Sequence, residues 1–122
     1  MSRKKILIIE DEHMNIELFR SILQMRDYSV IEATNAEQGI ELARNHAPSL
    51  ILMDIQLPGI DGLRATKIIK EDPVLKEITV VALTAHAMQG DEEKAKAFGC
   101  DGYITKPINV INFLDIVDQF IK

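Results

Sequence analysis

The chain has 122 residues, of which 47% are hydrophobic and 27% are charged, and its formal net charge is −5. These values fit one globular domain, residues 1–122, with a substantial core, and they exclude a disordered segment. The acidic balance argues against direct binding to nucleic acid, which needs a basic stripe, and no apolar run reaches the length of a membrane span.

The start of the chain and its cysteine content bear on where the protein works. Met1 is followed by a short basic stretch, but the apolar run at residues 6–9 is too short for the core of a signal peptide. Cys100 is the only cysteine, so it cannot form an internal disulfide. We therefore expect a cytoplasmic protein that does not associate with membranes.

Strand-like and helix-like runs alternate along the first half of the chain. The apolar run at residues 6–9 is followed by helical spacing over about 13–25. A weaker and more polar run around residues 30–31, typical of an edge strand, then leads to a second helix capped by Asn35. Gln38 stands three residues later, which fits the capping-box pattern.

The second half of the chain continues the alternation. Apolar runs predict strands at residues 50–53, 80–83 and 103–105, and helical patterns run from Gly62 to before Pro73, from Asp91 to Gly99 and from Asn109 onward. This order predicts an α/β fold, with a parallel sheet covered on both faces by helices. The last helix carries Ile111, Ile116 and Phe120 beyond one buried stripe, which indicates either a partner surface or wide burial under neighbouring elements.

Four of the apolar runs finish in residues that carry a charge or a hydroxyl. Glu10 and Asp11 follow the first run, Asp54 the third, Thr84 the fourth and Lys106 the fifth. If these runs lie side by side in one parallel sheet, the polar groups share an edge. Three acids, a hydroxyl and an ammonium at one edge make a site for a divalent cation and a phosphoryl group.

Each of these residues also has a structural interpretation when it is considered alone. A strand-end residue such as Asp54 is often a helix cap, Thr84 fits a β-branched strand position, and Lys106 fits a solvated charge. Tyr103 fits a packed aromatic side chain. Their occurrence in register on successive strand ends favours a shared site. The three histidines lie on different elements without the spacing of zinc ligands.

The order of these motifs is similar to that of a known family. Over essentially its full length the chain resembles the receiver domain of two-component response regulators. The resemblance is carried by IIED at residues 8–11, LMDIQLPGIDG at residues 52–62, LTA at residues 83–85 and KPI at residues 106–108. The stretch AMQGDEE at residues 87–93, with the later Gly99-Cys100, also resembles the single-domain cell-cycle regulators of this family.

For the fold, the resemblance implies a flavodoxin-like, doubly wound sheet of five parallel strands in the order 2-1-3-4-5, with five helices. A crevice would open between the first and third strands, where the winding direction reverses, and it would hold Glu10, Asp11 and Asp54. The resemblance makes these carboxylates, with the backbone carbonyl of Gln56, the expected ligands of Mg²⁺. A cation there would relieve the repulsion among crowded carboxylates.

For the chemistry, the resemblance implies that Asp54 accepts a phosphoryl group from a histidine kinase or a histidine phosphotransfer protein. Thr84 and Lys106 would contact the phosphoryl oxygens, and the Lys106-Pro107 peptide bond is expected in the cis form. Movement of Thr84, coupled to an inward rotation of Tyr103, would remodel the surface of the fourth helix, fifth strand and fifth helix for a downstream protein.

Two further positions are expected to set the lifetime of the aspartyl phosphate. Gln56 lies two residues after Asp54, and His86 lies two residues after Thr84. In receiver domains these positions control the access of water to the phosphoryl group. The resemblance therefore implies that both side chains tune the rate of dephosphorylation.

Three classes of function compete for this pattern. The leading one is a phosphorylation-driven binding switch, which catalyses only its own phosphorylation and dephosphorylation. Such a switch could pass on its signal by binding a partner protein or by forming a dimer on phosphorylation. The second is an interaction module that works without phosphorylation, and the intact acidic set with Thr84 and Lys106 argues against it. The third is a Mg²⁺-dependent phosphatase, which would need a second Asp where this chain has Gln56.

Overall fold

A computed structural model describes residues 3–55, 57, 61–84, 91–105 and 108–121 of the chain. Over these residues strands and helices alternate, as the sequence predicts. The strands are β1 (Lys5–Ile9), β2 (Ser29–Ala33), β3 (Leu50–Asp54), β4 (Thr79–Thr84) and β5 (Gly102–Thr105). The helices are α1 (His13–Gln24), α2 (Ala36–His46), α3 (Gly62–Glu71), α4 (Asp91–Ala97) and α5 (Val110–Ile121).

The strands form a parallel sheet in the order β2-β1-β3-β4-β5. This order confirms the predicted doubly wound fold, and it places β2 at an edge, as its polar character indicates. In the register of the sheet, Ile9 lies opposite Met53 and Asp54 lies opposite Leu83. The winding direction reverses between β1 and β3, so a crevice opens at the carboxyl ends of these two strands.

Helices cover both faces of the sheet and bury its central strands. On one face α2, α3 and α4 pack against it through residues that include Ala43, Ile69 and Ala95. On the other face α1 and α5 do so, and Phe19 of α1 stacks on Phe113 of α5 with ring centroids 5.5 Å apart. The central strands are apolar because both of their faces are covered. Among the described helices, none has the length and apolar content that crossing a membrane requires.

Side-chain caps fix where helices begin. Asn35 accepts a hydrogen bond from the N–H of Gln38 at 2.8 Å, which confirms the predicted cap of α2. The side chain of Gln38 accepts one from the N–H of Thr34 at 3.0 Å, one residue earlier than in the usual capping box. Asp61 caps α3 and Asn109 caps α5. Each side chain accepts a hydrogen bond from the backbone N–H three residues later, at 2.9 Å and 3.0 Å respectively.

The apolar surplus of α5 is divided between the core and the surface. Ile116 and Phe120 are partly buried against the core that α1 and α5 share. Ile111 is 69% exposed. Wide burial therefore accounts for part of the surplus, and the first turn of α5 presents the rest to solvent.

The last turn of α5 is tied to the turn between α1 and β2. The Tyr28 hydroxyl donates a hydrogen bond to one carboxylate oxygen of Asp118, and the guanidinium of Arg26 pairs with the other. Burial raises the pKa of Tyr28 to about 12, and the bond to the Asp118 carboxylate adds to that rise. Tyr28 and Asp118 are 90 positions apart in the chain. The contact therefore joins the end of α5 to a part of the protein that is distant in sequence.

We expect Tyr28→Phe to lower the free energy of unfolding by about 1 kcal/mol at neutral pH, the usual contribution of one hydrogen bond. The folded-state pKa of Tyr28 lies above its ordinary value of 10.0, so this contribution is complete below pH 10 and is lost as the pH rises toward 12. Urea titrations of both proteins should show their stability difference shrinking across this range. A stability difference between the two proteins that is the same below and above this pH range would contradict the prediction.

Candidate functional site

Three carboxylates meet in the crevice between β1 and β3. Asp54 is the last residue of β3 and Glu10 follows the last residue of β1, so the pairing of Ile9 with Met53 sets Glu10 level with Asp54. Asp11 comes next in the chain. Carboxylate oxygens from these three acids all lie within 4.8 Å of one another. The structure thus brings together the three acidic side chains that the sequence predicts to share a site.

The three carboxylates differ in burial. Glu10 is fully buried and Asp54 is 5% exposed, whereas Asp11 lies at the surface. The carboxylate of Glu10 accepts a hydrogen bond from the N–H of Glu12 at 3.2 Å, and the N–H of Glu10 donates to the carbonyl of Ala33 at 3.0 Å. These two bonds hold Glu10 in position. The cluster therefore has two buried members, Glu10 and Asp54, and one that solvent reaches.

This set of donors suits a small divalent cation. Mg²⁺ binds oxygen ligands at about 2.1 Å, so two ligand oxygens on opposite sides of it lie about 4.2 Å apart. The 4.8 Å spread among Glu10, Asp11 and Asp54 is close to that value, and small side-chain movements would bring the oxygens into one shell. Three ionised carboxylates at this spacing repel one another, and a divalent cation offsets that repulsion.

Thr84 lies beside the acidic cluster, at the end of the neighbouring strand. It is the last residue of β4 and is 1% exposed. The register places Asp54 opposite Leu83, one residue before Thr84. The N–H of Ile55 extends this pairing by donating to the Leu83 carbonyl at 3.1 Å. Thr84 and Asp54 therefore end adjacent strands at the same edge of the sheet.

Tyr103 lies on β5, one strand further from the acidic cluster. It pairs with Ala82, two residues before Thr84, so Tyr103 and Thr84 lie on the same face of the sheet. The side chain of Tyr103 packs against the core beneath α2, α3 and α4, and its hydroxyl oxygen is inaccessible to solvent. A surface cavity of about 310 Å³, lined by Tyr103 and Ile116 among others, opens between β5 and α5.

Gly62 brings α3 against the backbone of Asp54, a role that the motif pattern does not reveal. A Cβ atom at position 62 would lie 2.2 Å from the carbonyl oxygen of Asp54 and 2.6 Å from the Cα of Ile55. The N–H of Gly62 donates to the Ile55 carbonyl at 3.3 Å, and the Thr66 hydroxyl donates to the Gly62 carbonyl at 2.8 Å. The sequence Asp61-Gly62 indicates a helix start, but only the folded contact explains why that start needs a glycine.

Several predicted site residues lie outside the part of the chain that the structure describes. They are Gln56, His86, Lys106 and Pro107. Their expected roles as metal ligand, lifetime-setting residues, phosphoryl contact and cis peptide stay predictions.

The sequence is similar to those of known response regulators. Residues 6–118 match the family model of the response regulator receiver domain. The chain is 44% identical to the polar-differentiation response regulator DivK of Brucella anthropi over 118 residues, which cover 97% of this chain and 96% of that protein. It is 43% identical to DivK of Brucella ovis, with the same coverage of both proteins. These matches confirm the predicted resemblance.

Solved structures share the fold of this chain. The receiver domain of the sensor histidine kinase PA1611 from Pseudomonas aeruginosa, solved with a magnesium ion coordinated in its active site cleft, has a TM-score of 0.90 at 30% identity, covering 98% of both chains. The chemotaxis protein CheY4 of Vibrio cholerae has a TM-score of 0.91 at 21% identity, covering 98% of this chain and 99% of that one. The second likeness supports the fold alone.

Proposed function

This chain belongs to the response regulator receiver domain family of two-component signalling, and we propose that it is a phosphorylation-driven switch with Asp54 as its phosphoryl acceptor. Members of this family are generally phosphoryl-accepting switches rather than enzymes that turn over a separate substrate. We further propose that residues 1–122 act as one receiver domain in the cytoplasm. The observation that carries the proposal is the cluster of Glu10, Asp11 and Asp54 beside the buried Thr84.

In this proposal Glu10, Asp11 and Asp54, with the backbone carbonyl of Gln56, hold Mg²⁺. The spacing of the three carboxylates and the fixed position of Glu10 support the assignment. When bound, the ion supplies positive charge that offsets the charges of the carboxylates and of an incoming phosphoryl group. The magnesium ion in the cleft of the PA1611 receiver domain supports the same choice of cation.

The proposed reaction transfers a phosphoryl group from a phosphohistidine of a histidine kinase or a histidine phosphotransfer protein. An oxygen of the Asp54 carboxylate bonds to phosphorus while the bond from phosphorus to the imidazole nitrogen breaks, and the departing imidazole takes up a proton from water. Such a transfer depends mainly on position and charge. Thr84 would donate its hydroxyl to one phosphoryl oxygen. Lys106 would place its ammonium on another, aimed by the cis peptide bond that we expect before Pro107.

Thr84 and Tyr103 would carry the signal away from the acidic cluster. Thr84 ends β4, so its movement toward a phosphoryl group would pull on the segment that leads into α4. Tyr103 lies on the same sheet face, and its hydroxyl is already inaccessible to solvent. Its ring would be held in this inward orientation as Thr84 moves. The surface of α4, β5 and α5 would then change shape, and the cavity between β5 and α5 supports a binding role for it. The partner is a downstream protein, or a second copy in a dimer that forms on phosphorylation.

Direct phosphorylation tests this function. Incubating the protein with Mg²⁺ and acetyl phosphate should add the mass of one phosphoryl group, and peptide mapping should place that group on Asp54. Chelating Mg²⁺ should prevent the gain. No gain, under conditions where Mg²⁺ is shown to bind, would overturn the switch and favour an interaction module that works without phosphorylation.

We expect Gln56→Ala and His86→Ala each to change the rate of dephosphorylation several-fold. Each residue lies two positions beyond a site residue, where its side chain would govern the approach of water to phosphorus. Mg²⁺ affinity should stay nearly unchanged in both variants, because Gln56 would bind the ion through its backbone. The rate of dephosphorylation is measured by following the loss of the phosphorylated mass with time. An unchanged rate in both variants would contradict the prediction.

A further inference from the structure

The outer face of α3 forms one wall of a groove that contains none of the acidic-cluster residues. Two adjoining cavities, of about 440 and 260 Å³, share Lys67, Glu71 and Phe98. Arg64 and Ile68 complete the lining of the larger cavity. The groove therefore runs between the exposed side of α3 and residues 97–99, which are the end of α4 and the chain that follows it.

The larger cavity has apolar side chains on its floor, and its three charged lining residues, Arg64, Lys67 and Glu71, leave it with a net positive charge. Ile68 is 40% exposed and Phe98 is half-buried, so both present apolar surface to solvent. Arg64 and Lys67 are exposed and lie one turn apart on α3. Neither makes an ion pair within the described part of the chain, although each of the other arginines does. Among the described residues, these two cations thus lie beside exposed apolar side chains without an ion-pair partner, and Glu71 offsets only part of their charge.

Contacts beneath the groove hold its walls in place. The Lys70 ammonium donates to the Ile78 carbonyl and to the Asp101 carboxylate, each at 2.7 Å. It therefore joins α3 to the residues that immediately precede β4 and β5. Gly99, at a φ of +107°, lies so close to Lys70 that a Cβ atom would come within 2.9 Å of the Lys70 side chain. A groove that is already formed binds with less loss of conformational entropy.

We infer that this groove is a docking site for an acidic, amphipathic helical segment of another protein. An apolar side chain of that helix would lie over Ile68 and Phe98, as in other helix-in-groove complexes. Carboxylates one turn apart on the same helix would match the spacing of Arg64 and Lys67. The groove borders the surface of α4, β5 and α5 only at Ala97, the last residue of α4. The inference does not depend on phosphorylation of Asp54.

A nucleic acid fits this groove less well, although it too is negatively charged. The formal net charge of −5 repels an extended polyanion wherever it passes within about 8 Å of the remaining surface. A short acidic helix avoids most of that repulsion. It also covers the apolar surface of Ile68 and Phe98, which phosphates cannot do favourably.

The test uses a panel of synthetic four-turn helical peptides, each with Glu residues one turn apart around a central Leu, Ile or Phe. Added to the ¹⁵N-labelled protein, at least one peptide should shift the amide resonances of Arg64, Lys67, Ile68 and Gly99. Arg64→Glu/Lys67→Glu should weaken its binding by roughly tenfold, since two attractive charges become repulsive. Ile68→Ser should weaken binding without altering the charge.

Matched controls separate this surface from general electrostatics. Lys4→Glu/Lys76→Glu makes the same change of charge at exposed positions outside the groove and should bind the peptide as wild type does. Peptides with Lys in place of Glu should not bind. The inference is overturned if every acidic peptide fails to bind or shifts other resonances, or if an oligothymidine binds the groove equally well. It is also overturned if the groove resonances shift with protein concentration alone, since a second copy would then be the occupant.

Discussion

Asp54→Asn is expected to abolish phosphoryl gain from acetyl phosphate while leaving the fold intact. The amide is close in size to the carboxylate but lacks the charged oxygen that would attack phosphorus. Asp54 ends a buried strand and is 5% exposed, so a change that conserves volume leaves no cavity there. After incubation with Mg²⁺ and acetyl phosphate, the intact mass of the variant should be unchanged, and its circular dichroism should match that of the wild type.

Two further variants separate the acceptor from the rest of the cluster. Asp115→Asn is the matched control, because Asp115 is exposed on α5 and is not part of the acidic cluster, and this variant should be phosphorylated like the wild type. Asp11→Asn should weaken Mg²⁺ binding and slow phosphorylation at low Mg²⁺ without removing the acceptor. If Asp54→Asn gained a phosphoryl group as readily as the wild type, Asp54 could not be the acceptor.

The alternation of elements could be predicted because each central strand contains four consecutive apolar residues. Strands β1, β3 and β4 are buried on both faces. Because both faces are buried, consecutive residues are apolar instead of alternating with polar ones. The order of the strands could not be predicted from such runs, because it depends on distant pairings such as Ile9 with Met53. That order followed from the resemblance to receiver domains.

The acidic cluster could be predicted for a related reason. Once Glu10 and Asp54 are placed at the ends of parallel strands, the geometry of the sheet brings them to one edge. The contact between Gly62 and the Asp54 backbone depends instead on how α3 packs, and no local pattern encodes it. The groove beside Phe98 likewise requires α3 and the chain after α4 to meet, so it emerged only from the fold.

Gly62→Ala is expected to destabilise the protein and disturb the acidic cluster at the same time. In a helix interior alanine is favoured over glycine by about 1 kcal/mol, and at the first position of α3 only part of that gain is available. The new Cβ, however, would lie 2.2 Å from the Asp54 carbonyl oxygen, far inside van der Waals contact, and a backbone atom cannot rotate away as a side chain can. We expect the clash to prevail and to lower the free energy of unfolding by about 2 kcal/mol.

Gly102→Ala is the matched control for this prediction. Its Cβ would meet ring atoms of Phe120 at 2.6 Å, and that partly buried ring can shift. In urea titrations Gly102→Ala should therefore lose less stability, and its Mg²⁺ affinity should equal that of the wild type. Gly62→Ala should bind Mg²⁺ more weakly, because the clash displaces the backbone that carries Asp54. Wild-type stability together with wild-type Mg²⁺ affinity in Gly62→Ala would mean that α3 can move away from β3 without disturbing the carboxylates.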